Sequence, residues 1–153
     1  MAIEIERKFL LASDTWRSAV HASTRIAQGY LSTEPTRTVR VRLKGAAGFL
    51  TIKGKNEGIA RAEFEYPIPA ADAEALLALC PNVLDKTRHL VTVGTHLWEI
   101  DEFHGDNAGL IVAEIELEAF NSTFEQPDWL GVEVSDDPRY YNSALSERPY
   151  CRW

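Results

Sequence analysis

Charged and apolar residues alternate along most of the chain, beginning with Glu4-Ile5-Glu6-Arg7-Lys8-Phe9, and a period of two predicts strands. In an extended segment Glu4, Glu6 and Lys8 share one face, while Ile5 and Phe9 share the other. The pattern returns at Arg40 and Arg42, Lys53 and Lys55, Glu63 and Glu65, Lys86 and Arg88, Glu99 and Asp101, and Glu114 and Glu116. Strands are therefore expected over 4–10, 25–31, 38–44, 49–55, 61–68, 84–93, 96–103 and 110–119, with a brief extended piece at 132–134. Gly45 to Gly48 and Gly94-Thr95 read as hairpin connections. Three helices are predicted: a short one behind Ser13-Asp14 through Val20, an Ala- and Leu-rich one from Ala71 to Leu79, and one from Pro138 to about Leu145 behind the capping Asp137.

One polar row on one strand is the ordinary solvated face of an antiparallel sheet. Seven rows made almost entirely of Glu, Asp, Lys and Arg call for another reading, because solvated faces also draw on Ser, Thr, Asn and Gln. Closing about eight such strands into a barrel removes the sheet edges and encloses a space able to hold one small ligand. The apolar face then turns outward, to be covered by the helices, the tail or a second copy of the chain, so a homodimer is one way to cover it. The expected fold class is α+β: an eight-stranded antiparallel closed barrel with a charged lumen and helices outside, in one domain spanning 1–153.

Length and charge narrow the picture further. A chain of 153 residues suits one domain of ordinary size. The net charge of −7, with no basic tail or cluster, argues against nucleic acid and anionic membranes as partners. Cys80 and Cys151 make no disulfide framework, and the acids at the N-terminus leave no apolar signal core, so a reduced, cytoplasmic protein is expected. The four histidines lack metal-ligand spacing, and no GxxxxGK[ST] loop occurs.

A lumen holding both signs of charge is costly unless a ligand of matching pattern enters it. Lys8, Arg40, Arg42, Lys53 and Arg88 suit phosphate oxygens, the arginines through their forked donors. Glu4, Glu6, Asp101, Glu114 and Glu116 cannot face phosphate directly, but they suit a divalent cation that does, since Mg2+ takes a few carboxylates, several waters and phosphate oxygens. The pattern describes a site for a magnesium polyphosphate.

Glu4-Ile5-Glu6-Arg7-Lys8 resembles the ExExK signature of the CYTH superfamily, the triphosphate tunnel metalloenzymes. Arg40-Val41-Arg42, Thr51-Ile52-Lys53, Glu63-Phe64-Glu65, Lys86-Thr87-Arg88, Glu99-Ile100-Asp101 and Glu114-Ile115-Glu116 resemble its later strand motifs in the same order, and so does the end of the chain with Arg139-Tyr140-Tyr141-Asn142. The resemblance covers nearly the whole chain and is closest to the small bacterial inorganic triphosphatases. It implies an eight-stranded tunnel, dependence on a divalent cation such as Mg2+ or Mn2+, and substrates bearing a triphosphate. Hydrolysis of inorganic triphosphate to pyrophosphate and phosphate is the expected activity. Either a second metal ion, or Lys86 with Tyr30 as the candidate proton-handling groups, orients or deprotonates the attacking water. Adenylate cyclase chemistry, thiamine or nucleoside triphosphate hydrolysis, and a non-catalytic polyphosphate or nucleotide sensor stay open as alternatives.

Overall fold

Alternating residues in the computed structural model, which describes residues 3–153, form nine strands: β1 (Ile3–Leu11), β2 (Ala22–Ser32), β3 (Arg37–Lys44), β4 (Ala47–Gly54), β5 (Ala60–Ile68), β6 (Val83–Val93), β7 (His96–Phe103), β8 (Ile111–Glu116) and β9 (Leu130–Glu133). All pairings are antiparallel, in the order β5-β4-β3-β2-β6-β7-β8-β1-β9. A further β1–β5 pairing, at Ile3↔Ala62, Glu4↔Arg61 and Ile5↔Ala60, closes the first eight strands into a barrel. Strand β9, the brief extended piece of the sequence reading, pairs with β1 as an additional strand. The predicted hairpin at Gly94-Thr95 is a two-residue loop, as is Gly45-Ala46, and each glycine adopts the positive φ such loops require (57° at Gly45, 61° at Gly94).

The helices are shorter than the pattern suggested. The first is a single 3-10 element over Thr15–Ala19. The second, α1 (Ala70–Leu77), lies over β3 and β4, and its Ala73 is fully buried beside Gly48, where a side chain would meet Ala73 Cβ at 2.9 Å. The predicted helix from Pro138 is interrupted at Tyr141, which is extended, and so divides into a 3-10 turn over Pro138–Tyr140 and α2 (Asn142–Glu147).

Two apolar clusters hold the barrel. Outside it, Phe9, Trp98, Ile100, Ala113 and Ile115 of β1, β7 and β8 are covered by Trp16, Leu117 and Trp129, which come from a short turn and the connections beyond β8 rather than from long helices. Trp98 has no exposed surface and packs edge-on against both Phe9 and Trp129. The second cluster lies inside the barrel. The inward rows of β2, β6, β7 and β8 become apolar at one end, with Tyr30, Leu84, Phe103 and Val112, and the C-terminal segment adds Val134, Tyr140 and Leu145. The lumen is thus charged over one part of its length and plugged with hydrocarbon over the other, a division the uniform reading of charged rows did not include.

Candidate active site

Strand parity brings the expected phosphate-binding residues together. Lys8 of β1, Arg40 and Arg42 of β3, Lys53 of β4 and Arg88 of β6 all line one cavity of about 240 Å³. Tyr30, Glu4, Glu6, Glu114 and Glu116 line it too. Lys86 and Asp101 do not: both are fully buried beneath it, at the boundary with the apolar plug.

Each of the five expected phosphate-binding cations meets a partner in the protein. Lys53 Nζ donates to both oxygens of Glu4 at 3.0 and 3.2 Å and lies 3.2 Å from Glu63. Arg40 donates to Thr51 Oγ1 at 3.1 Å and lies 3.4 Å from Glu65, while its buried Nε has no partner among the described residues. A buried guanidinium donor without an acceptor is costly. Arg42 Nε donates to Gln28 Oε1 at 2.9 Å, and Lys8 Nζ lies 3.6 Å from Glu114. Arg88 spans the site: Nε and Nη2 donate to the two oxygens of Asp101 at 2.8 and 2.9 Å, Nη1 donates to Glu99 at 3.1 Å, and Nη2 lies 3.6 Å from Glu114. Lys86 Nζ donates to Asp101 Oδ2 at 2.7 Å and to Asn142 Oδ1 at 3.1 Å.

Electrostatics divide the acids into two groups. Burial alone would raise the Glu4 carboxyl, but Lys53 beside it draws it down to about 2. Asp101 is likewise held far below the carboxylate range, against its burial, by Arg88 and Lys86. Glu114 is lowered as well, burial being outweighed by Lys8 and Arg88. Glu6 goes the other way: burial, then Glu114 and Glu4, push it well above its ordinary value. Glu116 is raised by burial and by Glu4 and Glu99, and Glu63 by burial and by Glu4. Among the bases, burial together with Arg40 and Arg88 lowers Arg42 to about 9. Burial, reinforced by Arg88 and Arg42, lowers Lys86 to about 7 although Asp101 opposes it.

These opposed shifts bear on whether a cation fits. The ionised forms of Glu6 and Glu116 are not compensated by the protein's own cations, and both face a cavity already holding Glu4 and Glu114, so a bound cation would supply the charge that lets them ionise. Among the described residues no three acidic, histidine or cysteine ligands converge into an all-protein metal site. One or two carboxylates per ion, completed by water and substrate oxygens, is the arrangement Mg2+ accepts and zinc does not. The donor set fits a hard divalent cation.

The cavity also contains residues that the site reading left out. Glu63, Glu65 and Glu99 line it and had the right parity within the charged rows. Gln28, fully buried two residues before Tyr30, does not line the cavity but accepts from Arg42, which does; it had the same parity but no charge to mark it. Asn142 and Tyr141 line the cavity from the C-terminal segment and Arg61 from β5. Only the folding back of the tail places the first two there.

Comparison with known proteins agrees with this geometry. An inorganic triphosphatase of Acetivibrio thermocellus is 43% identical over 152 residues, covering 98% of this chain and 97% of the relative. One from Nitrosomonas europaea is 36% identical over 149 residues, covering 94% and 96%. A crystal structure of an inorganic triphosphatase superposes with a TM-score of 0.67 at 32% identity, covering 95% of each chain. A protein from Pyrococcus horikoshii shares the fold at 17% identity, with a TM-score of 0.61 over 77% of this chain and 80% of its own. The model of the CYTH domain matches residues 2–144, nearly the whole of the barrel and its tail, and the chain belongs to the CYTH domain family.

Proposed function

We propose that the chain is a metal-dependent phosphohydrolase that cleaves inorganic triphosphate to pyrophosphate and phosphate. The observation that carries this reading is the single cavity into which four strands direct five cationic side chains beside the acids of β1 and β8. Its volume of about 240 Å³ falls below the roughly 300 Å³ at which drug-sized pockets begin, which favours a small inorganic substrate over one that carries a base or a thiamine. Two relatives that match nearly the whole chain are inorganic triphosphatases, in support of the same substrate.

Phosphoryl transfer needs positioning and charge neutralisation more than covalent chemistry from the protein. Arg40, Arg42, Arg88, Lys8 and Lys53, which line the cavity, hold the phosphate oxygens. Glu6, Glu114 and Glu116, with Glu4, would hold Mg2+ or Mn2+, which supplies charge for the phosphate oxygens and lowers the pKa of bound water. Asp101 binds Lys86 and Arg88 with both oxygens and lies off the cavity, so we assign it to holding those two cations in place rather than to the metal. Tyr30 stands at the cavity wall, and we assign proton handling to it together with Lys86, which lies fully buried one layer beneath.

Phosphate release measured with tripolyphosphate, ATP and thiamine triphosphate, each with Mg2+, with Mn2+ and with chelator, tests the reading. Tripolyphosphate should be cleaved fastest and only with metal present. Tight binding without release would show a sensor, and cyclic nucleotide from ATP would show a cyclase.

A further inference from the structure

A chain of buried hydrogen bonds fixes the orientation of one amide at the cavity wall. Arg42 Nε can only donate, so the atom it meets at 2.9 Å must be the carbonyl oxygen of Gln28. The Gln28 amide nitrogen then points the other way, to Asn142 at 3.2 Å, and the atom receiving it must be an acceptor, Oδ1. Lys86 Nζ, also a donor only, reaches the same oxygen at 3.1 Å. With Oδ1 committed to two donors, the amide group of Asn142 cannot be flipped without setting N–H against N–H at both contacts. Its nitrogen, Nδ2, therefore has a determined direction. Among the described residues Nδ2 has no hydrogen-bond partner, and the Asn142 side chain lines the cavity. Nothing in the catalytic scheme above uses it.

We propose that Asn142 is a substrate-binding residue, whose Nδ2 donates to a phosphate oxygen while its Oδ1 is locked by Lys86 and Gln28. The inference rests on the triphosphatase reading and deepens it: the C-terminal segment supplies a neutral donor among the cations of the strands. A neutral N–H adds a hydrogen bond without further repulsion of Lys86, Arg42 and Arg88, which already crowd that end of the cavity. Because Gln28 passes the same lock on to Arg42, the tail also sets the direction of one phosphate-binding guanidinium.

Two variants separate donor from scaffold. Asn142→Ala removes the donor, together with the acceptor for Lys86 and Gln28, without adding charge, and Asn142→Asp keeps that acceptor while replacing the donor by a charged oxygen, so that loss of binding in both separates the donor from the scaffold and from charge. Binding of tripolyphosphate is measured by calorimetry, turnover by phosphate release, and folding by thermal melting. Both variants should bind tripolyphosphate about tenfold or more weakly, the loss expected for a hydrogen bond to a charged group, with Asn142→Asp melting within a few degrees of the wild type. If both bind within about twofold of the wild type while the wild type cleaves tripolyphosphate, the Asn142 inference fails and the hydrolase reading stands. Weakened binding in the variants of a wild type that binds but does not cleave supports Asn142 and overturns hydrolysis. A wild type that neither binds nor cleaves tripolyphosphate overturns both.

Discussion

Replacing Lys53 by methionine should reverse the sign of a pH dependence. In the folded protein Lys53 Nζ bridges Glu4 and Glu63, with Lys53 and Glu4 mostly shielded from solvent. Lowering the Glu4 carboxyl from 4.5 to about 2 corresponds to about 3 kcal/mol of stability, at about 1.4 kcal/mol per pH unit. That contribution is complete above the carboxyl's unfolded value and is lost as pH falls through about 2. In Lys53→Met the side chain keeps most of its length but loses its charge. Glu4 then keeps the burial that raises its pKa, with only the hydrogen bond to Glu63 and the more distant Arg40 to oppose it, and Glu63, already raised by burial and by Glu4, loses the cation that restrained its upward shift. The carboxyl pair would then hold a proton more tightly in the folded than in the unfolded protein. The wild type should lose about 3 kcal/mol or more on mutation at pH 7, as for a broken buried pair. Relative to the wild type, the variant should recover stability as the pH is lowered from 7 toward 3. Urea unfolding followed by circular dichroism at pH 7, 5 and 3 measures the difference. Parallel stability curves for the two proteins would refute the reasoning, because Lys53 would then not be what keeps Glu4 ionised.

Four further outcomes are expected. Lys86→Arg keeps the charge but cannot supply a base, so turnover should fall steeply with tripolyphosphate affinity little changed; wild-type turnover should rise as pH is raised through about 7 and that rise should be missing in the variant, whereas near-normal turnover would make Lys86 a fixed cation only. Tyr30→Phe should lower turnover less than Lys86→Arg, measured in the same assay. Arg42→Ala should cost about a hundredfold in kcat/KM, as for a lost preorganised donor, and Lys44→Ala only a few-fold, because Lys44 lines the cavity from the last position of β3 beside the hairpin; equal losses would misplace the cavity. Gly29→Ala should destabilise the protein by about 1–3 kcal/mol in denaturant titrations, since the added Cβ would stand 2.7 Å from both Cβ and Sγ of Cys80, and Cys80→Gly should restore the loss.

The barrel was legible because its information is local. Alternation at Arg40-Val41-Arg42 or Glu114-Ile115-Glu116 assigns each side chain to a face before any partner strand is known, and the register preserves those faces through the charged part of the barrel, as at Lys8↔Glu114 and Arg88↔Asp101, shifting only beyond Tyr30 between β2 and β3 and between β1 and β9. The cations of the cavity followed from the same parity. Helix lengths were less legible, because a few apolar residues at helical spacing, as around Trp16, also suit a single 3-10 turn pinned by tertiary contacts.

The sequence by itself determined which residues face inward and that the lumen carries both signs of charge, since strand geometry converts a period of two directly into two faces. Depth along the lumen is different, for it depends on stagger between strands and on where the tail folds back. Only the tertiary structure therefore separated Arg42 and Arg88, at the cavity wall, from Lys86 and Asp101, one layer below. The same is true of Asn142, a neutral residue more than a hundred positions from Gln28 in sequence, whose amide has a function only because the two meet across the end of the barrel.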